Sequence, residues 1–232
     1  MSALLQKTAP RALPATPEPP SLESGDRLAR AEFERRYQAQ PNIRKAELIE
    51  GVVYVASPVR VERHGEPHSH AITWLGLYVA HTPDVRMADN ATLRLDLDNE
   101  PQPDAVLWID EKHGGKARIG EDDYLEGAPE LMVEVAASSA AYDLHDKLRA
   151  YRRNGVQEYL VLLVHEREAR WHSLQDGEYR LLPANERGIT RSLILSGLWF
   201  HAALFWNHDL AGLLAVLQEG LNSPEHQQFA LP

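Results

Sequence analysis

The chain has 232 residues, no cysteine and a formal net charge of −10 at pH 7. The lack of cysteine excludes disulfides and thiolate metal sites, and no apolar stretch is long enough to span a membrane. Because the hydrophobic fraction of 44% and the charged fraction of 25% are ordinary for a globular protein, we expect a cytoplasmic protein without a membrane partner.

Prolines dominate the beginning of the chain. Five of them lie between residues 10 and 20, and the polar residues around them offer little surface to bury. We therefore predict a disordered arm over residues 1–25. The remainder, residues 26–232, shows no internal repeat and no linker, and is predicted to form a single domain.

Helix and strand signals alternate after the arm. In chain order they predict a helix over 26–40, a hairpin of strands 46–49 and 52–56, a helix over 68–81 and a half-buried strand over 93–97. Three histidines, His64, His68 and His70, match no common zinc-binding spacing. Gly65 and Pro67 indicate that the segment before the second helix is a loop.

Two carboxylates interrupt apolar segments in the middle of the chain. Asp104 opens the run Ala105–Ile109, and Glu134 lies inside the run Leu131–Val135. An unpaired buried carboxylate costs several kcal/mol or acquires a raised pKa, so such a residue binds a cation, pairs with a base or takes part in catalysis. On neighbouring strands the pair would suit Mg²⁺ or Mn²⁺. The alternative is a structural ion pair for Glu134 and a turn cap for Asp104.

A helix is predicted over residues 142–153, after the Glu134 strand. Its expected core-facing stripe is spaced i, i+4 and i+7, and consists of Leu144, Leu148 and Tyr151. A second row at the edge of that stripe consists of Asp143, Lys147 and Tyr151. The spacing leaves two options open for Lys147: it covers apolar surface and reaches solvent, or it reaches back to the two carboxylates.

The rest of the chain continues the alternation. It predicts a buried strand over 159–164, a hairpin of strands 171–174 and 179–182, and a helix over 209–221. The elements together predict an α/β domain with a mixed sheet flanked by helices.

Several of these segments resemble one bacterial family. They are Glu47–Gly51, Ser57-Pro58, His68, Pro103-Asp104, Glu126–Val135, the Asp143, Lys147 and Tyr151 row, Gly155–Tyr159 and Leu195–Trp199. In this order, over roughly residues 45–206, they resemble the "putative restriction endonuclease" (Uma-two) family, a domain of unknown function within the PD-(D/E)XK nuclease superfamily. The resemblance implies a restriction-endonuclease-like α/β fold.

The resemblance also implies site residues. Asp104 matches the superfamily's metal-binding aspartate and Glu134 its second acidic ligand. Glu47 or Glu50 matches an upstream acidic residue that completes the metal shell, and the choice between them stays open.

The catalytic lysine of the superfamily normally stands two residues after the second acidic ligand. This chain has Ala136 there, and the resemblance suggests that Lys147 has taken over the role. His68, Asp143 and Tyr151 are expected near the site.

Two functions follow from the resemblance. The first is a Mg²⁺- or Mn²⁺-dependent endonuclease that hydrolyses phosphodiester bonds in nucleic acid, with DNA favoured over RNA and a homodimer left open. The second is a catalytically inactive nuclease-like module for binding or regulation, which Ala136 and the acidic charge favour.

The acidic charge bears on the substrate. Phosphate contacts dominate affinity for nucleic acids, so the net charge of −10 weakens the case for DNA. A locally basic face could compensate for it. The candidates are Lys147, Arg149, Arg152 and Arg153 on the helix, and Lys112, Lys116 and Arg118 in a loop, although each is also typical of a solvated surface.

Overall fold

The structure is a computed structural model that describes residues 19–56, 60–137 and 139–230. Most of the predicted N-terminal arm and the Ser57-Pro58 pair lie outside the described residues. Among the residues described, none of the helices combines the length and apolar character needed to cross a bilayer.

All strands of the described residues lie before residue 202. They are β1 (Ala46–Ile49), β2 (Val52–Val55), β3 (Val85–Asp89), β4 (Leu93–Arg94), β5 (Ala105–Ile109), β6 (Arg118–Ile119), β7 (Leu125–Glu126), β8 (Leu131–Ala136), β9 (Glu158–Leu163), β10 (Glu168–Gln175), β11 (Glu178–Leu181), β12 (Ile189–Arg191) and β13 (Trp199–His201).

The helices lie between and after these strands. They are α1 (Arg30–Gln38), α2 (Glu66–Ala80), α3 (Ala140–Tyr142), α4 (Leu148–Arg153), α5 (Ala202–Trp206), α6 (Leu210–Leu221) and α7 (Pro224–Phe229). Two π-helical turns, Val61–Gly65 and Asp143–Lys147, lead directly into α2 and α4.

The central sheet has six strands in the order β11-β10-β9-β8-β5-β3. Strands β8 and β9 run parallel, joined through α3 and α4, and the other neighbouring strands run antiparallel. This is the mixed sheet flanked by helices that the sequence predicts.

Strand β8 shows why the sheet is covered on both faces. Leu131, Val133 and Val135 belong to the core that contains α2 and α6, whereas Met132 and Ala136 belong to the core under α4. Alternation along a strand therefore places Glu134 on the α4 face, between two apolar side chains.

The strand prediction needs correction in two respects. The sequence prediction lacks five of the described strands, β3, β6, β7, β12 and β13; β3 lies at the edge of the central sheet, and its burial is irregular. The predicted strand over 93–97 shrinks to β4, and Leu97 is 72% exposed. The chain turns there because Asp96 Oδ1 accepts hydrogen bonds from Asp98 N (2.8 Å) and Asn99 Nδ2 (2.8 Å).

Two further boundaries also differ from the prediction. Leu22 is buried in a third core with Phe33 under α1, so the described part of the predicted arm, residues 19–25, packs on the domain. The segment from His64 to Pro67, predicted as a loop, is helical, since Gly65 closes a π turn and Pro67 occupies the first turn of α2, where its missing N–H is not needed.

Candidate active site

Strands β5 and β8 bring Asp104 and Glu134 to the same place. The antiparallel register pairs Ala105 with Val133, so the next position along each strand sets Asp104 against Glu134. Asp104 Oδ2 accepts a hydrogen bond from the Val135 backbone N–H (2.8 Å). Both carboxylates are nearly buried and line one cavity of about 890 Å³.

Lys147 lies at the floor of that cavity. Its Nζ is 2.8 Å from Glu134 Oε1, 2.9 Å from Glu47 Oε1 and 3.5 Å from Asp143 Oδ1. Of the two options that the sequence leaves open for Lys147, the structure therefore shows the contact with a carboxylate. The lysine is 2% exposed, however, so it is a buried member of the network and not an edge residue that reaches solvent.

The burial of the helix after β8 reverses the predicted stripe. Asp143, Lys147 and Tyr151 are buried, whereas Leu144 and Leu148 are only half-buried. The π turn over Asp143–Lys147 and the carboxylates that face it make this polar row the inner one. Tyr151 Oη completes it by donating a hydrogen bond to Glu134 Oε1 (3.2 Å).

The structure separates the two upstream glutamates. Glu47, on β1, is buried, lines the cavity and accepts a hydrogen bond from the Gln102 N–H (2.7 Å) through Oε1. Glu50, at the turn of the β1–β2 hairpin, instead pairs with Arg149 (3.4 Å) and Arg153 (3.0 Å) on the surface. Neighbouring residues of a β-strand face opposite sides, and Glu50 lies beyond the strand end, so only Glu47 joins the other carboxylates.

Histidines from the second helical segment approach Asp104. His68 Nε2 lies 3.1 Å from the Asp104 carbonyl oxygen and 3.1 Å from Asp89 Oδ1. His64 Nδ1 donates to the Val135 carbonyl (3.1 Å), and its Nε2 is 3.5 Å from Asp104 Oδ1. The sequence prediction placed His68 near the site but not His64, although their i, i+4 spacing on a helix would have indicated a common face.

Lys45 is a second site residue that the sequence did not indicate. Its Nζ lies 3.2 Å from Asp104 Oδ1 and 2.9 Å from Asn90 Oδ1. Lys45 directly precedes β1, and no local pattern distinguishes it from a solvated lysine.

The buried charges strongly affect each other. Burial opposes the charged form of Lys147, but Glu134, Glu47 and Asp143 outweigh it and raise its pKa well above the ordinary value. Burial raises the pKa of Glu134 well above its ordinary value, against the opposing effect of Lys147. For Asp104, Lys45 and His64 outweigh burial and lower the pKa. The carboxylates around Lys147 thus favour its charged form, whereas burial disfavours the charged form of Glu134.

The oxygen atoms at the cavity are of the kind that binds a hard cation, but their present positions do not form a complete metal site. Carboxylate and carbonyl oxygens are the ligands that Mg²⁺ and Mn²⁺ prefer. No three histidine or acidic side chains of the described residues converge closely enough to hold an ion as they stand. In addition, the ammonium groups of Lys45 and Lys147 lie 3.2 Å from Asp104 Oδ1 and 2.8 Å from Glu134 Oε1.

Comparisons with known proteins bear on the family and the fold. The family described as "Putative restriction endonuclease" (Uma2) matches residues 30–204. A crystal structure from Anabaena variabilis, titled as a "putative nuclease belonging to DUF820", is 14% identical and covers 74% of this chain and 90% of its own, with a TM-score of 0.50. No curated protein sequence matches the chain.

The match covers most of the domain, from α1 into α5, and includes every residue of the buried network. The similarity to the Anabaena structure supports the predicted nuclease-like fold. The chain therefore belongs to the Uma2 family of restriction-endonuclease-like proteins.

Proposed function

We propose that this protein is a metal-dependent endonuclease that hydrolyses phosphodiester bonds in nucleic acid, with DNA as the expected substrate. The observation that carries the proposal is the meeting of Asp104, Glu134 and Lys147 at one open cavity, from three separate segments. A buried lysine on a metal-ligand candidate is difficult to explain by stability alone, because buried ion pairs are often no more stabilising than apolar residues.

The roles follow from the contacts. Asp104 and Glu134 would hold Mg²⁺ or Mn²⁺, with Glu47 as the third carboxylate. When bound, such an ion polarises the phosphate and lowers the pKa of a water for in-line attack. Lys147 would place its positive charge where negative charge develops on the phosphate oxygens.

Neighbouring groups orient these residues. The Val135 N–H donates a hydrogen bond to Asp104 Oδ2 (2.8 Å), and Lys45 Nζ donates one to Asp104 Oδ1 (3.2 Å). Tyr151 and Lys147 both bind Oε1 of Glu134, and within the described residues Oε2 of Glu134 accepts no hydrogen bond. Glu134 thus has one anchored oxygen and one without a hydrogen-bond donor, whereas a ligand at Asp104 Oδ1 would have to displace Lys45.

The test is cleavage of a labelled DNA oligonucleotide with Mg²⁺, with Mn²⁺ and with EDTA. We expect cleavage only with the divalent ion, and a loss of at least about 100-fold in Asp104→Asn and in Glu134→Gln, since even residues behind metal ligands contribute 10- to 100-fold. Glu50→Gln is the matched control, because Glu50 is an acidic residue of the same hairpin as Glu47 but lies outside the cavity. Cleavage that persists in Asp104→Asn would contradict the proposal.

A second candidate, the inactive binding module, has one observation in its favour. The ammonium groups of Lys45 and Lys147 already neutralise the carboxylates that a metal would use. If the module is inactive, neither Mg²⁺ nor Mn²⁺ will bind at millimolar concentration, and no variant of the network will change cleavage above background.

A further inference from the structure

The π-helical turn before α2 presents a basic face to the cavity. The Arg60 carbonyl accepts hydrogen bonds from His64 N (3.0 Å) and Gly65 N (3.1 Å), which closes the turn. Arg60, Arg63 and His64 stand at i, i+3 and i+4, so they lie on one side of the turn, and all three line the cavity.

His64 fixes the direction of this face. Its ring bonds to the Val135 carbonyl (3.1 Å) and approaches Asp104 Oδ1 (3.5 Å), so this side of the turn points at the carboxylates. Arg60 and Arg63 flank His64 and are exposed, which places their guanidinium groups at the mouth of the cavity. Glu62, on the same turn, is exposed and does not line the cavity.

These two arginines differ from the arginines after Lys147 that the sequence suggested for DNA binding. Arg149, Arg152 and Arg153 each pair with carboxylates of the protein. Within the described ranges, Arg60 and Arg63 form no ion pair with any acidic side chain. In a chain of net charge −10, two exposed guanidinium groups without an acidic partner at a cavity mouth are available for an external anion.

The buried side chains that line the cavity are mostly acidic, so a polyanionic substrate needs positive charge at the cavity mouth, where Arg60 and Arg63 lie. Glu47, Asp104, Glu134 and Asp143 outnumber Lys45 and Lys147 there. A nucleic-acid strand that approaches this acidic floor needs compensating positive charge at the entrance, because like charges repel and phosphate neutralisation dominates affinity.

We infer that Arg60 and Arg63 form a subsite that binds the phosphodiester backbone of nucleic acid at the mouth of the cavity. The inference rests on the proposed nuclease function, which it deepens by naming the residues that hold the substrate. Guanidinium groups match phosphate oxygens with paired hydrogen bonds, and such contacts position a strand without reading its sequence.

The experiment measures fluorescence anisotropy of labelled single-stranded and duplex DNA in EDTA, so that cleavage contributes nothing. The double variant Arg60→Gln/Arg63→Gln is compared with Arg170→Gln/Arg180→Gln, which removes the same charge from the β10–β11 hairpin. Glu62→Gln serves as a control on the same turn. Thermal melting confirms that each variant is folded.

We expect the Arg60/Arg63 double variant to bind roughly 10- to 100-fold more weakly, since each lost contact is a charged hydrogen bond. The slope of log affinity against log salt concentration should fall by about 1.4 for a single strand or about 1.8 for a duplex, the values for two lost phosphate contacts. The arm with the larger loss identifies which form of DNA the subsite holds.

The inference is overturned if both double variants bind alike, or if the wild-type protein binds neither DNA form. The nuclease proposal is judged separately by the Asp104→Asn cleavage assay. If the wild-type protein cleaves DNA but the Arg60/Arg63 variant binds DNA as tightly as the wild type does, only the inference about the subsite is wrong. If DNA binding depends on Arg60 and Arg63 but the wild-type protein cleaves no DNA, only the proposed nuclease function is wrong.

Discussion

Two buried glutamates on adjacent strands of this protein have opposite surroundings. Glu134 on β8 and Glu158 on β9 are 4% and 0% exposed, and both stand in or beside apolar segments. Glu134 contacts a lysine ammonium and shares a cavity with other carboxylates. Glu158 receives neutral donors: Trp171 Nε1 (3.0 Å), Ser192 Oγ (2.8 Å) and Leu193 N (2.7 Å).

The difference shows that burial of a carboxylate in a strand does not by itself mark an active site. The three donors to Glu158 tie β9 to β10 and to the loop before β13, which is a structural task. Glu134 has a charged partner and an opening to solvent, which are the two features that chemistry on a substrate requires. The predictions below test this contrast, from the largest expected effect to the smallest.

The largest effect is expected for Lys147→Met. Removing the ammonium leaves Glu47, Glu134 and Asp143 facing each other without a cation, and breaking one side of a buried ion pair costs about 3 to 5 kcal/mol of unfolding free energy. The cost should shrink as the pH falls, at a higher pH than for ordinary carboxyl groups, because burial raises the pKa of Glu134 and Asp143 and the variant lacks the lysine that opposes this shift. Urea denaturation at several pH values measures it.

Arg152→Met is the control for that measurement. Arg152 lies on α4, five residues after Lys147, and pairs with the exposed Glu178. An exposed pair contributes at most about 1 kcal/mol. Similar losses of unfolding free energy in Lys147→Met and Arg152→Met would contradict a special role for Lys147. The variant Lys147→Arg keeps the positive charge. Measuring both its stability and its cleavage rate shows whether cleavage falls by more than the loss of stability explains.

Glu158 should control a different dependence on pH. Burial raises its pKa to about 7, from 4.5, so the folded state binds this proton more tightly than the unfolded chain does. The resulting stability is complete below pH 4.5 and is lost as the pH rises through about 7, on the order of 3 kcal/mol in total.

Glu158→Gln removes this titration. Between pH 4.5 and pH 8 the variant should lose less stability than the wild-type protein in urea denaturation, while divalent-ion binding stays unchanged. Parallel pH profiles would show that Glu158 is not the titrating group. Loss of ion binding in this variant would contradict the contrast between the two glutamates.

The smallest effect is expected for metal binding to the folded protein. A divalent ion at ten times its dissociation constant adds about 1.4 kcal/mol of stability. For a chain of this length that raises the melting temperature by about 3 to 6 °C. The shift with Mg²⁺ or Mn²⁺ should disappear in Asp104→Asn and persist in Glu158→Gln. A melting temperature that no divalent ion changes would favour the inactive module.

Much of the architecture follows from local patterns. The alternation and turn residues predicted the β1–β2 and β10–β11 hairpins, the strands around Asp104 and Glu134, and the helix that Asp209 caps through Gly212 N (2.8 Å). Strands and turns of this kind are fixed by neighbours in sequence, so their residues are sufficient to predict them. Strand β3 lacks such a pattern and was missed.

Some residues at the cavity can be predicted from the sequence, and others cannot. Asp104, Glu134 and Lys147 stood out in the sequence because a charge interrupts or borders an apolar pattern, and a charge there needs a partner. Which partner it has is a matter of long-range contacts. The choice of Glu47 over Glu50 and the approach of Lys45 and His64 to Asp104 join segments far apart in the chain.

The sequence by itself thus indicated the family, most of the central strands and helices, and three residues that meet at the cavity, because each shows in the pattern of neighbouring residues. Only the tertiary structure decided that the row of Asp143, Lys147 and Tyr151 faces inward in place of the leucines, and that Glu158 is satisfied by neutral donors. The physical reason is that the free energy of a buried charge depends on the groups that surround it in space, and sequence spacing does not contain that information.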